Sequence, residues 1–487
     1  MKNDYNSSEF ANLPPSHNNK WWAMLGVGVG VFMLTIDTSI VNIALPTLVK
    51  VFQTNFATVQ LVVVSYLLVL TALVLGAARL GDMLGKKQLY LIGLILFTIS
   101  SLLCGFSPSI LFLIGFRVLQ GFGAVFMSGL GPAIITEVFP SSERGRALGI
   151  IGAIVAIGIA LGPTVGGLLI GLSGWRTIFL VNVPIGIVAS FVVWRFVPLS
   201  PVSSTKQRFD WLGTIFITVS LTCFIIGMTE GQNRGFNSAT SSLLFLIAAI
   251  SLIIFIGIES RIRQPMLDLE ILKNPHLSLS LVAAVFVFIV VGGIIFILPF
   301  FLELVLKYSP QQSGLLLAVS PILGGIVAPI SGTLSDRFGQ RIISLIGLLL
   351  MVIGCGLVST FNQQLTDLVY ILCIAPYGIG FGMFQSPNNS AILGSVPRER
   401  LGITSGLLSL SRTLGQTTGV PLLGSIFDSL TKSRIPQGSS IDLTSAPVSA
   451  LVFGFEKTLI ISGVTLFFAA ILLLFMDRMK PLTKNYS

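Results

Sequence analysis

Apolar stretches of about twenty residues, the length a helix needs to cross a lipid bilayer, recur fourteen times along the 487 residues of this chain. They fall near 22–46, 58–78, 89–106, 109–136, 146–172, 175–196, 211–229, 241–259, 276–301, 313–334, 340–360, 366–393, 402–427 and 456–476. Inside lipid every backbone N–H and C=O must be paired within its own segment, so runs of this length fold as helices. The expected class is an all-α integral membrane bundle. Composition agrees: 10% of residues are charged and 53% hydrophobic, against about 25% charged in a soluble domain.

An even number of crossings returns both ends to one side. Of the 29 Lys and Arg, Lys50, Arg176, Arg234, Lys307, Lys432, Arg434 and Lys457 fall on the opposite side, and Arg117 and Arg412 lie deep within spans. The rest share the side of the N-terminus, which the positive-inside rule makes cytoplasmic. The net charge of +10 therefore reads as topology and membrane-lipid contact, because the cations are scattered singly between spans and form no nucleic-acid patch. The first run lacks a small-residue cleavage site and is expected to be retained.

Soluble-enzyme and cofactor chemistry finds no residues to carry it. Cys104, Cys223, Cys355 and Cys373 lie in apolar runs without metal-ligand spacing, and His17 and His276 lie in a polar tail and beside a loop. Gly26-Val27-Gly28-Val29-Gly30 and Gly378-Ile379-Gly380-Phe381-Gly382 lie within spans, not after strands, and no G-x-x-x-x-G-K-[ST] loop exists. No cofactor, metal or direct ATP drive is expected, which leaves an ion gradient as the energy source.

The chain repeats itself. Leu80, Asp82, Gly85, Leu91, Ile92 and Gly93 recur, in order and spacing, as Leu334, Asp336, Gly339, Leu345, Ile346 and Gly347. Gly121, Gly123, Pro140, Gly145 and Gly149 recur as Gly378, Gly380, Pro397, Gly402 and Gly406. The expected organisation is a tail (1–21), a six-helix half (22–200), two inserted helices with linkers (201–274), a second six-helix half (275–478) and a short tail (479–487). Duplicated halves suit a central site with alternating access, as in many secondary transporters.

The loop after the second span reads Ala78-Arg79-Leu80-Gly81-Asp82-Met83-Leu84-Gly85-Lys86-Lys87, and its partner Gly332-Thr333-Leu334-Ser335-Asp336-Arg337-Phe338-Gly339-Gln340-Arg341. Both resemble the G-x-L-x-D-R-x-G-R-R loop of the major facilitator superfamily; the first copy departs at Ala78 and Met83, the second at Gln340. The resemblance implies a major facilitator fold in which Asp82, Gly85, Lys86, Asp336, Arg337, Gly339 and Arg341 form gating motifs at the cytoplasmic helix ends. A carboxylate and cations there can pair across the halves in one state and separate in the other. Turn-making and positive-inside anchoring are the simpler alternative. Glu137, near the inner end of the fourth span, is a candidate for the same gate.

Asp37-Thr38-Ser39-Ile40-Val41-Asn42-Ile43-Ala44-Leu45-Pro46 in the first span is similar to the L-D-x-T-I-V-N-V-A-L-P motif of the fourteen-spanner drug:proton antiporters. A carboxylate at that depth costs about 2.5–3.5 kcal/mol on the insertion scale, so it marks an ion or proton pathway. Asp37 is the leading candidate proton carrier, with a structural partner for neighbouring polar groups as the rival reading. Arg117, Gln120, Gly121 and Gly123 resemble the family's R-V-x-Q-G-x-G motif, which implies a proton-coupling role for Arg117; a purely structural ion pair with Asp37 is the alternative. Gly158, Gly162, Pro163, Gly166 and Gly167 resemble the exporter motif G-x-x-x-G-P-x-x-G-G, whose glycines permit close packing and whose proline weakens the helix. Trp175, Arg176, Phe179, Asn182, Pro184 and Gly186 match the subfamily's W-R-x-x-F-x-x-N-x-P-x-G run.

Asn42, Gln120, Gln385, Asn388, Asn389, Arg412 and Gln416 are polar groups in apolar surroundings, expected either to line the substrate cavity or to bond between helices. Glu303 and Lys307 read as an i,i+4 pair at the outer rim, and the Ser-rich segment from Asp428 to Glu456 as an outer loop. Proton-coupled export of an amphipathic drug or other organic small molecule across a bacterial inner membrane is the expectation. A dedicated exporter of one endogenous product, a receptor that kept the fold without transport, and uptake by symport are the rivals.

Overall fold

A computed structural model describes residues 17–140, 143–199, 210–262, 271–396, 401–435 and 443–475; the expected tails and much of the two linkers around the insert lie outside them. The described helices are α1 (His17–Phe52), α2 (Phe56–Leu84), α3 (Lys86–Gly105), α4 (Ile110–Val138), α5 (Arg144–Ser173), α6 (Thr177–Leu180), α7 (Asn182–Phe196) and α8 (Trp211–Arg234). They continue with α9 (Ala239–Glu259), α10 (Pro275–Leu304), α11 (Pro310–Leu317), α12 (Val319–Phe338), α13 (Gln340–Val358), α14 (Asp367–Gly394), α15 (Leu401–Lys432) and α16 (Val448–Phe475). The pairs α6–α7 and α11–α12 each make one broken crossing, so the described residues cross the membrane fourteen times.

Thirteen of these crossings are long and apolar enough to span by composition alone. The other, α15, is diluted by Ser, Thr, Gly and Arg412, and it hides much of that polarity: Thr404, Thr417 and Thr431 are fully buried. Gly415 and Gly419 let α15 lie directly on the α10 backbone at Val285 and Ile289. The lipid side is marked by exposed Leu172, Ile253 and Phe468, as expected where the solvent is hydrocarbon.

The sequence repeat is visible as one helix crossing made twice. A Cβ on Gly123 of α4 would lie 2.6 Å from the Gly93 carbonyl of α3, and one on Gly347 of α13 would lie 2.7 Å from the Gly380 carbonyl of α14. Only glycine lets these backbones approach so closely. The two loop motifs also turn alike, at Gly85 (φ 100°) and Gly339 (φ 91°), a region side chains avoid.

Hydropathy shortens the helices wherever they end in polar residues. α1 runs through Pro46 to Phe52, and α15 reaches Lys432, whose Nζ lies 2.7 Å from Asp428 one turn back. With α16 starting at Val448, the expected 428–456 loop shrinks to 433–447, and 436–442 lie outside the described residues. The rim pair is likewise corrected. α10 ends at Leu304 and Lys307 has φ 60°, so the i,i+4 geometry is lost; Glu303 is only 5% exposed and makes no ion pair with Lys307.

The inserted pair is not symmetric. α8 rests against α2 of one half and α15 of the other, with Thr218 Oγ1 donating to the Ala72 carbonyl at 3.3 Å. α9 lies outermost, packed mainly on α8.

Candidate functional site

Taking the membrane face where α1 begins as the tail face, close contacts between the halves gather from mid-span to the far face. At mid-span Thr71 of α2 and Thr417 of α15 share a hydrogen bond of 3.0 Å. Nearer the far face Phe56 packs against Phe296, Phe300 and Phe427, with ring centroids 5.0, 4.8 and 6.2 Å apart. α5 meets α11 along Pro163, Gly167 and Gly171: a Cβ on Gly167 would collide with the Pro310 carbonyl, and one on Gly314 with the Pro163 carbonyl. Thr164 Oγ1 also donates to the Gly314 carbonyl at 3.3 Å.

The glycine motif of α5 therefore carries two stripes. Gly158, Gly162 and Gly166, at i, i+4 and i+8, face Thr35, Ser39 and Ile40 of α1 in the same half; Ser39 Oγ donates to the Gly158 carbonyl at 3.3 Å. The second stripe, one residue on, faces the other half. α5 runs unbroken through Pro163, and that residue's carbonyl abuts Gly314.

On the tail face, the described contacts of charged groups include several within one half. Lys86 of α3 pairs with Glu137 of α4 at 2.5 Å, and Lys20 of α1 with Glu143 at 2.7 Å. Arg341 donates from Nε and Nη2 to the carbonyls of Leu473 and Leu474 in α16, at 2.9 and 2.6 Å. Asp336 and Arg337 are exposed. The side chain of Asp82 lies outside the described residues.

The deep charges come together. Asp37 of α1 and Arg117 of α4 are 0% and 1% exposed and form an ion pair of 2.6 Å through Arg117 Nη1 and Asp37 Oδ2. Gln120 Nε2 and Asn182 Nδ2 donate to Asp37 Oδ1 at 3.0 and 3.1 Å. All three partners donate, so the site is built for an acceptor-only carboxylate. Arg117 also donates to the Gln120 side-chain oxygen at 2.6 Å and, from Nε, to the Val62 carbonyl at 3.1 Å. Its guanidinium stacks 4.2 Å from the Tyr66 ring centroid, a cation–π contact sheltered from water. Gln120 is held in turn by Ser101 Oγ at 2.8 Å.

Asn182, Ser101, Tyr66 and the Val62 carbonyl are the members of this network that sequence reading does not assign. Asn182 stands in the W-R-x-x-F-x-x-N-x-P-x-G run, yet nothing local says its amide reaches α1. Asn42 is spent on its own helix, donating to the Thr38 carbonyl at 2.9 Å. Asn388 is buried and donates to the Ser280 carbonyl of α10 at 3.4 Å. Asn388 and Ser280 line a cavity of ≈ 330 Å³ in the second half, with Arg341 and Leu473; Asn42 does not. Gln385, Asn389, Arg412 and Gln416 are partly exposed and are not among the hydrogen-bonding partners of Asp37.

Residues 27–420 match the family model described as Major Facilitator Superfamily. The riboflavin transporter RibZ of Clostridioides difficile is 34% identical over 409 residues, which cover 84% of this chain and 88% of that protein. The multidrug resistance protein Stp of Mycobacterium tuberculosis is 34% identical over 404 residues, 83% of this chain and 75% of Stp. Among solved structures, a bacterial homologue of the human lysosomal transporter Spinster superposes with TM-score 0.70 at 16% identity, covering 95% of this chain and 98% of the other.

Proposed function

The chain belongs to the major facilitator superfamily, a family of multi-pass membrane transporters, and on that premise we propose that it is a proton-coupled exporter of amphipathic organic compounds. The observation that carries this reading is the carboxylate of Asp37, fully buried at mid-membrane and bound by Arg117, Gln120 and Asn182. A charge so placed is costly unless it is paired or carries ions. Protonation removes the negative charge that fixes Arg117, and the buried guanidinium must then find other acceptors. α1 and α4 thereby acquire a second arrangement that a proton selects, which is the element alternating access needs.

The halves supply the gate. With the far face sealed by α5 on α11 and α2 on α15, the conformation suits loading from the tail face. The cation bias makes that face cytoplasmic, in keeping with a bacterial inner membrane and with outward transport. Lys86, Arg341 and Asp336 are then candidate gate residues at that face. They exchange partners when the tail face closes.

The similarity to a riboflavin transporter favours one second reading, a dedicated carrier of a single endogenous compound on the same scaffold. Dye movement driven by a pH gradient in inverted vesicles separates the readings, with Asp37→Asn compared at equal expression. Movement of several unrelated dyes that Asp37→Asn abolishes supports the exporter. No movement across a broad panel overturns multidrug export.

A further inference from the structure

Three features stand apart from the network already described: buried Glu303 near Lys50, buried Gln60 with both amide atoms unbonded, and Arg412. Arg412 carries an inference furthest. It lies eleven residues into α15, about 16 Å from the tail-face end at 1.5 Å per residue, just on the tail side of the Thr71–Thr417 contact. Its Nε is buried without a partner, and no hydrogen bond or ion pair to the guanidinium is found among the described residues. Phe288 of α10 lies 5.8 Å away, and Phe381 of α14 stands edge-on to Phe288 at 5.9 Å.

The charge balance at this depth is decisive. Asp37 is the only Asp or Glu in the middle of any described span, and Arg117 neutralises it within a buried network. The remaining deep charge is cationic, partly exposed and unpaired. Intramembrane cations pair with carboxylates, carbonyls or water in a cavity, and a planar guanidinium suits two-point binding of an oxyanion. Gln416, one turn on along α15, and Gln385, one turn from Phe381 along α14, add amide donors with no bonded partner among the described residues.

We propose that the cargo is an amphipathic organic anion, its carboxylate, sulfonate or phosphate bound by Arg412 and its apolar body set against Phe288 and Phe381. This deepens the exporter reading and rests on it for the direction of transport. It also sets the cargo apart from the cations that a lone membrane acid suggests: the acid is spent on Arg117.

The test is equilibrium binding of three probes that share one ring system, 2-naphthoate, 2-naphthamide and 2-naphthylmethylammonium, to the purified full chain in phosphatidylcholine nanodiscs, where no anionic lipid competes. The wild type is expected to bind the carboxylate at least tenfold more tightly than the amide and the ammonium least. Arg412→Gln brings carboxylate and amide within about threefold, and Arg412→Lys keeps part of the preference. Equal binding of all three, stronger binding of the ammonium, no detectable binding of any, or an unchanged preference in a folded Arg412→Gln would overturn the proposal. If Arg412→Gln does not fold, the wild-type order decides. Binding needs no gradient, so loss of pH-driven transport with the preference intact counts against antiport alone, whereas pH-driven transport of cations without anion binding counts against this inference alone.

Discussion

Adding one methyl group at Gly314 is expected to open the far face. The new Cβ would collide with the Pro163 carbonyl and lie 3.1 Å from that residue's carbonyl carbon and 3.3 Å from the Gly167 Cα. All three are backbone atoms, so no rotamer change relieves the clash and α5 and α11 must move apart. Overpacking of this kind costs about 1–3 kcal/mol. The cost falls on the state in which the two helices touch, so the closed-to-open ratio at the far face shifts by about 5- to 150-fold. Spin labels at Leu172→Cys and Leu368→Cys, in a background with Cys223 and Cys373 replaced, report the separation of the halves by double electron–electron resonance. Gly314→Ala is expected to populate a longer distance. Gly158→Ala, which presses on Thr35 within one half, and Gly115→Ala, which meets nothing within 4 Å, are expected to leave the distribution unchanged. An unmoved distribution in Gly314→Ala, or an equal shift in Gly158→Ala, would refute the assignment of the second stripe to the seal.

Arg117→Ala strands a buried carboxylate and is expected to lower stability by about 3–5 kcal/mol, read as thermal unfolding in detergent; the double variant Asp37→Asn, Arg117→Gln should lose less. Asn182→Ala removes one hydrogen bond to a charged group and is expected to cost about 1.5–3 kcal/mol in the same assay. Tyr308, in the turn between α10 and α11, donates to Asp367 at 2.6 Å, and that bond pushes its phenol up to about 12. A folded-state value raised above the unfolded one of about 10 gives stability that is present below pH ~10 and lost as the phenol titrates toward 12. A phenolate absorbance titration should find one tyrosine in that window that Tyr308→Phe removes; an identical curve in Tyr308→Phe would contradict it.

Much of this architecture is legible in the sequence because lipid imposes one rule on every span. Fourteen apolar runs, the two loop copies and their glycines suffice to place the helices, and the depth of Asp37 and Arg117 singles both out as candidates. Which helices touch is another matter, since α1, α4 and α7 meet through tertiary packing that no local pattern encodes; Asn182 stood in a recognisable motif without pointing at its partner. The α5 glycines show the same limit. Their i, i+4 spacing announces a close contact, but the second stripe beside it becomes visible only once α11 lies on it. Glu303 reads as a rim residue because it ends an apolar run, while the packing of α10 buries it.

The central claim is that Asp37 couples proton movement to export, and purified protein in liposomes with a trapped pH dye tests it most directly. Adding cargo to the wild type on the tail-face side should drive a counter-flux of protons, while Asp37→Asn should still exchange labelled for unlabelled cargo without moving protons. Undiminished proton flux in Asp37→Asn, or cargo movement in the wild type with no proton flux, would contradict the account.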